Sequence, residues 1–382
     1  LLLRISLVSQ EAGAAKIQAD HPNIIFVIFD ALRADHVSAY GYPRLTTPVV
    51  DSRLADKGVL FSETTSLSSW TKSSNASMLT SMLPTELFAE WEDTNAPVLE
   101  SRTLLAEYLH DEDYTTAGFI ASWYMRAQFG FAQGFDAYDI VGVDGDSINN
   151  LAMTWLDENG YEPGNDSGPL FLFLYYYDPH SWYVPPPPFD YLFDPDYTGS
   201  LTGEIYGHGK DVVSGEMVLS ERDLEHLLAL YDGDIAYSDY LFGVMLDDLA
   251  PRGLLENSLI VLSSDHGEMF GEHDKWVHHN ALYEEVLRVP LLFRYSGVLP
   301  EGAVFDAPVD HLDVTPTILD LAGIPIPSHM QGRSLVPLMT GAKSSLPERP
   351  IYSVMAGEND PDGNAYWIAP RMNLYAIKED GY

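Results

Sequence analysis

Apolar residues in this chain gather in continuous runs and do not alternate with polar ones. Asn23–Phe29 (NIIFVIF), Thr115–Ile120, Leu170–Tyr177, Ser258–Ser263 and Val289–Tyr295 each hold such a run, bounded by Gly, Pro, Asp or His. An alternating strand has one wet face, whereas a continuous run is buried on both, which predicts parallel strands inside a covered sheet. Between the runs, Ser77–Leu83, Leu104–Leu109, Ser147–Leu156 and Leu219–Leu249 carry apolar residues at helical spacing. Alternation of the two kinds of element predicts an α/β fold with a large, mostly parallel sheet sandwiched by helices. Tyr191–Val212, rich in Asp, Gly, Tyr and Ser, reads as a surface excursion without catalytic content. The longest apolar stretch, Pro169–Tyr177, has the length of a buried strand and falls short of the ~18 residues a membrane span needs.

In doubly wound sheets, ligands sit at the carboxyl ends of the strands. The residues following the runs are polar: Asp30 after the first, Asp178, Pro179 and His180 after the third, and Ser264, Asp265, His266 and Gly267 after the fourth. Taken singly, Asp30 reads as a helix cap ahead of Ala31 and Leu32, and Asp265 as a turn cap. Together at the ends of buried strands, carboxylates and an imidazole make a hard-cation site.

Composition narrows the chemistry. Of 382 residues, 57 are acidic and 20 basic, a formal charge of -37, which argues against a broad basic surface for nucleic acid or anionic lipid. The 34 Asp against only 7 Lys resemble salt-adapted proteins, and equally an acidic secreted enzyme. Cysteine is absent, which excludes disulfides, thiolate ligands and a cysteine nucleophile. The short run Leu1–Val8, interrupted by Arg4, reads as the stub of a signal, of a membrane segment, or a plain chain end. An extracytoplasmic (periplasmic or secreted) location is expected, with a cytoplasmic one as the alternative.

Seven blocks in order carry a resemblance. They are NIIFVIFDALRADHVSAYGY, TTPVVDSRLADKGVLF, SSWTKSSNASMLTSMLPTE, YYYDPHSWYVPP, YDGDIAYSDYLFG, SSDHGEMFGEHDKWVHHNALYEEVLRVPLLF, and DVTPTILDLAGIP ahead of QGRSLVPLM. Across about Asn23 to Leu338 the chain resembles the sulfatase family of the alkaline phosphatase superfamily. The resemblance implies an alkaline phosphatase-like fold, with a catalytic domain over 21–345 after an N-terminal stub or linker (1–20). It also implies the start of a small antiparallel C-terminal subdomain over 346–382. There Pro350–Val354 and Asn373–Lys378 read as strands, and the chain stops before the subdomain is complete. It further implies that Asp30, Asp265 and His266 hold a divalent metal whose shell Thr71 completes. One ion is expected, Ca, Mg or Mn in preference to Zn. The Asp and the His four residues on that two-zinc relatives use are replaced here by His180 and Val184.

The nucleophile block departs from the family pattern of Cys or Ser in C/S-x-P-x-R, which matures to formylglycine. Here it reads Thr71, Lys72, Ser73, Ser74, Asn75. Threonine cannot be oxidised to formylglycine, but its hydroxyl serves relatives that cleave phosphodiesters. Thr71 is also expected to cap a helix beginning near Ser73, and Asn75, one turn on, to donate a hydrogen bond to the transferred anion. His180 and His278 stand where the family places acid/base or charge-stabilising groups, with His273 and His279 as nearby alternatives. The expected activity is metal-dependent hydrolysis of a phosphodiester, phosphonate or sulfate-type ester through a covalent Thr71 intermediate. The substrate would be a small-molecule, glycan or lipid ester, and no nucleic-acid partner is expected. A phospho-alcohol head-group transferase and an inactive sulfatase-like binding protein are the alternatives.

Overall fold

The computed structural model describes residues 21–89, 96–140, 142, 145–162, 164, 167–207, 209–278, 281–355 and 374–378; Leu1–Val8, His279 and Asn373 lie outside them. The strands are β1 (Asn23–Phe29), β2 (Val59–Thr65), β3 (Thr115–Ile120), β4 (Ala137–Ile140), β5 (Leu170–Tyr176), β6 (Ser258–Ser263), β7 (Met269–Phe270), β8 (Trp276–Val277), β9 (Arg288–Tyr295), β10 (Ala303–Phe305), β11 (Val309–Asp310), β12 (Ile351–Met355) and β13 (Leu374–Lys378). One sheet runs β10-β2-β9-β6-β1-β5-β3-β4, with β11 beside β2. β1 is central and parallel to both neighbours, pairing Phe26 with Phe173 on β5 and with Val261 on β6. Ile24, Phe26 and Ile28 enter the core on one face, and Ile25, Val27 and Phe29 the core on the other, so the unbroken run is used on both sides.

β9 departs from expectation, for it runs antiparallel to both β2 and β6. A continuous apolar run encodes burial of two faces and carries no information on direction. β2 carries no continuous apolar run, because Ser62 and Glu63, both half-buried, follow its apolar residues.

The helix expected at Ser77–Leu83 lies at Thr71–Thr80. Lys72, Ser74, Asn75, Ser77 and Thr80 are all buried along with its apolar residues, so the segment shows no amphipathic stripe. Trp70 is the N-cap and Thr71 the first helical residue, which corrects the reading of Thr71 as cap of a helix starting near Ser73. Ser81, at φ 58°, ends the helix in the left-handed region. The other expected helices appear as Leu105–His110, Gly145–Glu158 and Glu221–Leu249.

Tyr191–Val212 is more than a surface excursion. It contains the short helix Gly203–Tyr206 and buries Leu201 and Tyr206, the latter stacked on Tyr183 at 5.6 Å between centroids. β12 and β13 form the expected antiparallel pair. β12 is tied to the segment leading into the Thr71 helix, by Val354 N–H to Leu67 O (2.8 Å) and Ser353 Oγ–H to Ser66 O (2.7 Å). Among the described residues no helix is long and apolar enough to cross a membrane.

Candidate active site

The polar residues that follow β1, β5 and β6 meet because those three strands are adjacent and parallel. Asp30 leaves β1 through a turn in which Ala31 adopts φ 56°, a left-handed conformation that costs a non-glycine residue about 1–3 kcal/mol. The surroundings hold it there. Tyr231 Oη donates to Ala31 O (2.7 Å) and accepts from Arg33 N (3.0 Å), Ala31 N donates to Asp265 Oδ1 (3.3 Å), and Leu32 N donates to Ser264 Oγ (2.9 Å).

Asp30, Asp265 and His266 are all fully buried, and one ligand atom from each lies within 4.8 Å of the others. His266 Nδ1 faces Gly267 O at 2.9 Å, an acceptor only, so that nitrogen carries a proton and Nε2 is the one turned to the carboxylates and available to a cation. Nε2 lies 3.8 Å from Asp30 Oδ1 and 3.5 Å from Asp265 Oδ2. Among the described residues neither carboxylate oxygen of Asp30 makes a hydrogen bond. Burial first, then the charge of Asp265, pushes the Asp30 carboxyl well above the usual carboxylate range. A buried carboxylate with no hydrogen bond among the described residues, facing a second carboxylate and an imidazole nitrogen, is an arrangement that a cation resolves, so these residues fit a divalent metal. The donor set is oxygen-rich with one imidazole and suits Ca, Mg or Mn, with Zn also compatible.

Thr71 Oγ1 stands 3.3 Å from His266 Nε2, at the first turn of its helix and at the edge of the cluster. Asn75 is placed differently from expectation. Its amide donates to Thr71 O (2.8 Å) and to Asp265 Oδ2 (3.2 Å), so it fixes the Asp265 carboxylate to the Thr71 helix. Tyr175 Oη donates to the same Asp265 oxygen (2.8 Å), while Ser66 and Ser74 hydroxyls hold the Asp265 carbonyl (2.5 and 2.6 Å).

Both expected histidines join the cluster. The His278 ring stacks on His266 at 4.2 Å and meets His180 edge-on at 4.7 Å; His180 in turn stacks on Tyr177 at 4.4 Å. His273 is turned away, half exposed, paired with Glu285 (3.3 Å) and stacked on Tyr283. Three residues at the site escaped the sequence reading. Tyr175 lies inside an apolar strand run, and Tyr183 in the aromatic, proline-rich segment after His180. Glu268, visible in SDHGE, is fully buried and holds His278 Nδ1 at 2.9 Å.

The family model for Sulfatase matches residues 22–324. The chain is 30% identical over 231 residues to an arylsulfatase of Clostridium perfringens, covering 54% of this chain and 48% of that protein. It is 27% identical over 342 residues to an ulvan-active sulfatase of Formosa agariphila, covering 83% and 65%. It thus spans about half to two thirds of these relatives' lengths. In fold it matches a solved protein in complex with its substrate D-glucosamine-2-N,6-O-disulfate (TM-score 0.74, 19% identity, 94% of this chain and 87% of the other). It also matches a phosphonate monoester hydrolase of Agrobacterium radiobacter (TM-score 0.73, 19% identity, 94% and 86%). The match takes in the whole strand-end cluster from Asp30 to His278, and with it the chain belongs to the sulfatase family.

Proposed function

We propose that the chain is a metal-dependent hydrolase of sulfate, phosphonate or phosphodiester groups that works through a covalent adduct on Thr71. The observation that carries this reading is the buried Asp30 carboxylate, with no hydrogen bond to either oxygen among the described residues, gathered with Asp265, His266 and the Thr71 hydroxyl. Asp30, Asp265 and His266 would hold the ion, with Thr71 at its edge. A divalent cation there supplies positive charge, which makes the neighbouring hydroxyl more acidic and offsets charge on the transferred group.

The chain's own residues do the rest. Thr71, its hydroxyl proton released to solvent beforehand, attacks sulfur or phosphorus through Oγ1 as the ester oxygen leaves, and the first-turn N–H groups of the Thr71–Thr80 helix would face the transferred anion. His278 gives the departing oxygen its proton. It then takes one from the water that cleaves the adduct, which frees Thr71 as the alkoxide ready for the next turnover, by the same path in reverse. His180, edge-on to His278, lines the leaving-group side. Thr71, Ser73 and Asn75 replace the pattern needed for formylglycine, which favours direct hydroxyl chemistry over conventional sulfatase maturation.

The test is a screen of aryl sulfate, phosphonate, phosphodiester and phosphomonoester substrates with Ca, Mg, Mn and Zn. Thr71→Ala is expected to lose turnover by about 10³-fold or more with metal binding retained, because it removes a group needed only in the transition state. Thr71→Ser keeps part of the activity, and mass spectrometry of the working enzyme finds the adduct on the Thr71 peptide. Wild-type turnover rates in Thr71→Ala would refute the covalent route.

A further inference from the structure

Glu268 is a fully buried carboxylate with both oxygens engaged. Oε1 faces His278 Nδ1 at 2.9 Å, and Oε2 accepts from Tyr183 Oη at 3.0 Å. Tyr183 is itself fully buried, packed between Tyr206, Tyr231 and Phe270 at centroid distances of 5.0–5.6 Å within that aromatic group. The backbone of Glu268 is pinned as well, since Arg33 Nη1 donates to its carbonyl (3.1 Å) while the same guanidinium grips Asp35 and Glu272. One carboxylate oxygen is thus held by Tyr183 and the backbone by Arg33, while the other oxygen engages His278, which stacks on His266.

A carboxylate accepts only, so His278 Nδ1 must be the protonated nitrogen, and the ring orientation follows. The ring is laid flat on His266 and edge-on to His180, and Nε2 becomes the one nitrogen whose proton is exchanged. We infer that Glu268 is a positioning residue that fixes the tautomer and orientation of His278, so that Nε2–H delivers its proton to the leaving oxygen. The inference deepens the proposed hydrolase and rests on that reading for its rate effects, though not for the tautomer itself. In the step it serves, the ring starts with a proton on each nitrogen, Nε2 having taken its own from solvent; that proton passes to the ester oxygen as its bond to sulfur or phosphorus breaks, which leaves the neutral Nδ1–H tautomer that Glu268 holds. Nδ1–H stays on the Glu268 side throughout.

Leaving groups separate this role from a merely structural one. A 4-nitrophenyl ester departs without help, whereas an alkyl ester needs the proton. In the metal-loaded full chain, Glu268→Leu, which fills the space, is expected to lose about 10²-fold in kcat on the alkyl ester. It loses less than about 10-fold on the nitrophenyl ester, with KM little changed. Glu268→Gln, which keeps an acceptor, recovers part of the alkyl-ester rate. Independently of turnover, ¹⁵N NMR of the Thr71→Ala background shows His278 protonated on Nδ1, and Glu268→Leu removes that signature. Equal losses on both esters, or a His278 spectrum unchanged by Glu268→Leu, would overturn the assignment. If the wild type turned over no ester at all, the hydrolase reading would fail while the NMR comparison still decided the role of Glu268.

Discussion

Two corners of the molecule bury carboxylates in pairs, and they are finished differently. At the end of β11, Asp310 and Asp313 are buried beside Arg349, whose Nη2 lies 2.7 and 2.9 Å from them. Backbone donors complete the arrangement, Leu312 N to Asp310 and Arg333 N to Asp313. At the ends of β1 and β6, Asp30 and Asp265 are buried as deeply, yet among the described residues no lysine or arginine pairs with either. The first corner is closed by the chain's own cation. The second gathers two carboxylates and an imidazole without a lysine or arginine among the described residues. Burial alone is common to both, so the partner's identity is what separates a structural ion pair from a candidate metal site. His311 links the two: from the turn between Asp310 and Asp313 its Nδ1 reaches Ser74 Oγ (3.0 Å), whose hydroxyl also holds the Asp265 carbonyl. Burial pushes that imidazole down to about 4, so it remains neutral and acts as a strut.

The comparison is broken most severely by taking away the closed corner's cation. Arg349→Ala strands two buried carboxylates and is expected to lower stability by about 3–5 kcal/mol in denaturant unfolding. Loss below about 1 kcal/mol would show that Arg349 is not what neutralises them.

For the open corner the expectation has the opposite sign. Asp30→Asn removes a carboxyl whose burial beside Asp265 disfavours its ionisation, and should raise the stability of the metal-free protein. A divalent ion at a hundred times its Kd should stabilise the wild type by about 2.7 kcal/mol and Asp30→Asn far less. Thermal unfolding with and without each ion reads both effects. Equal stabilisation of the two proteins would remove Asp30 from the site.

A smaller effect concerns pH. Burial first, then Asp310, raises the Asp313 carboxyl to about 7, so the folded state keeps a proton that the unfolded chain releases near its ordinary carboxylate range. That contribution is full below pH ~4 and is lost as pH rises through about 7, by about 1 kcal/mol between pH 6 and 8. Asp310→Asn removes the like charge that helps hold this proton, and the pH dependence of its unfolding midpoint should flatten over that interval. An unchanged slope would contradict the pairing.

Salt sharpens the comparison least. With a formal charge of -37, molar salt should raise the unfolding midpoint by screening surface repulsion. The gain should be alike in wild type and Arg349→Ala, since buried pairs are screened little. A gain confined to one protein would show that salt reaches the corner.

Much of the fold and site was legible before any tertiary information. The runs at Asn23–Phe29, Leu170–Tyr177 and Ser258–Ser263 mark strands buried on both faces, and the polar residues after them stand at the ends of neighbouring strands. The placing of Thr71, His180 and His278 comes from motif resemblance, and the structure brings Thr71 and His278 to His266 and His180 to His278. What was missed shares one cause. A helix whose polar and apolar residues are all buried shows no periodicity, so the start at Thr71 stayed hidden. A hydrogen bond between residues distant in sequence leaves no local trace, so the hold of Asn75 on Asp265 and of Tyr175 on the same oxygen went unread.

The sequence by itself determined the α/β class, the strand-end carboxylates, the exclusion of cysteine chemistry and the order of the family blocks. All of these are properties of composition or of short contiguous segments. Only the tertiary structure decided the direction of β9, the corner in which acids are matched by arginine, and which nitrogen of His266 and His278 is committed to the protein. Those outcomes depend on which side chains from remote segments share a desolvated volume. There a single donor or cation changes the free energy by more than any local propensity does.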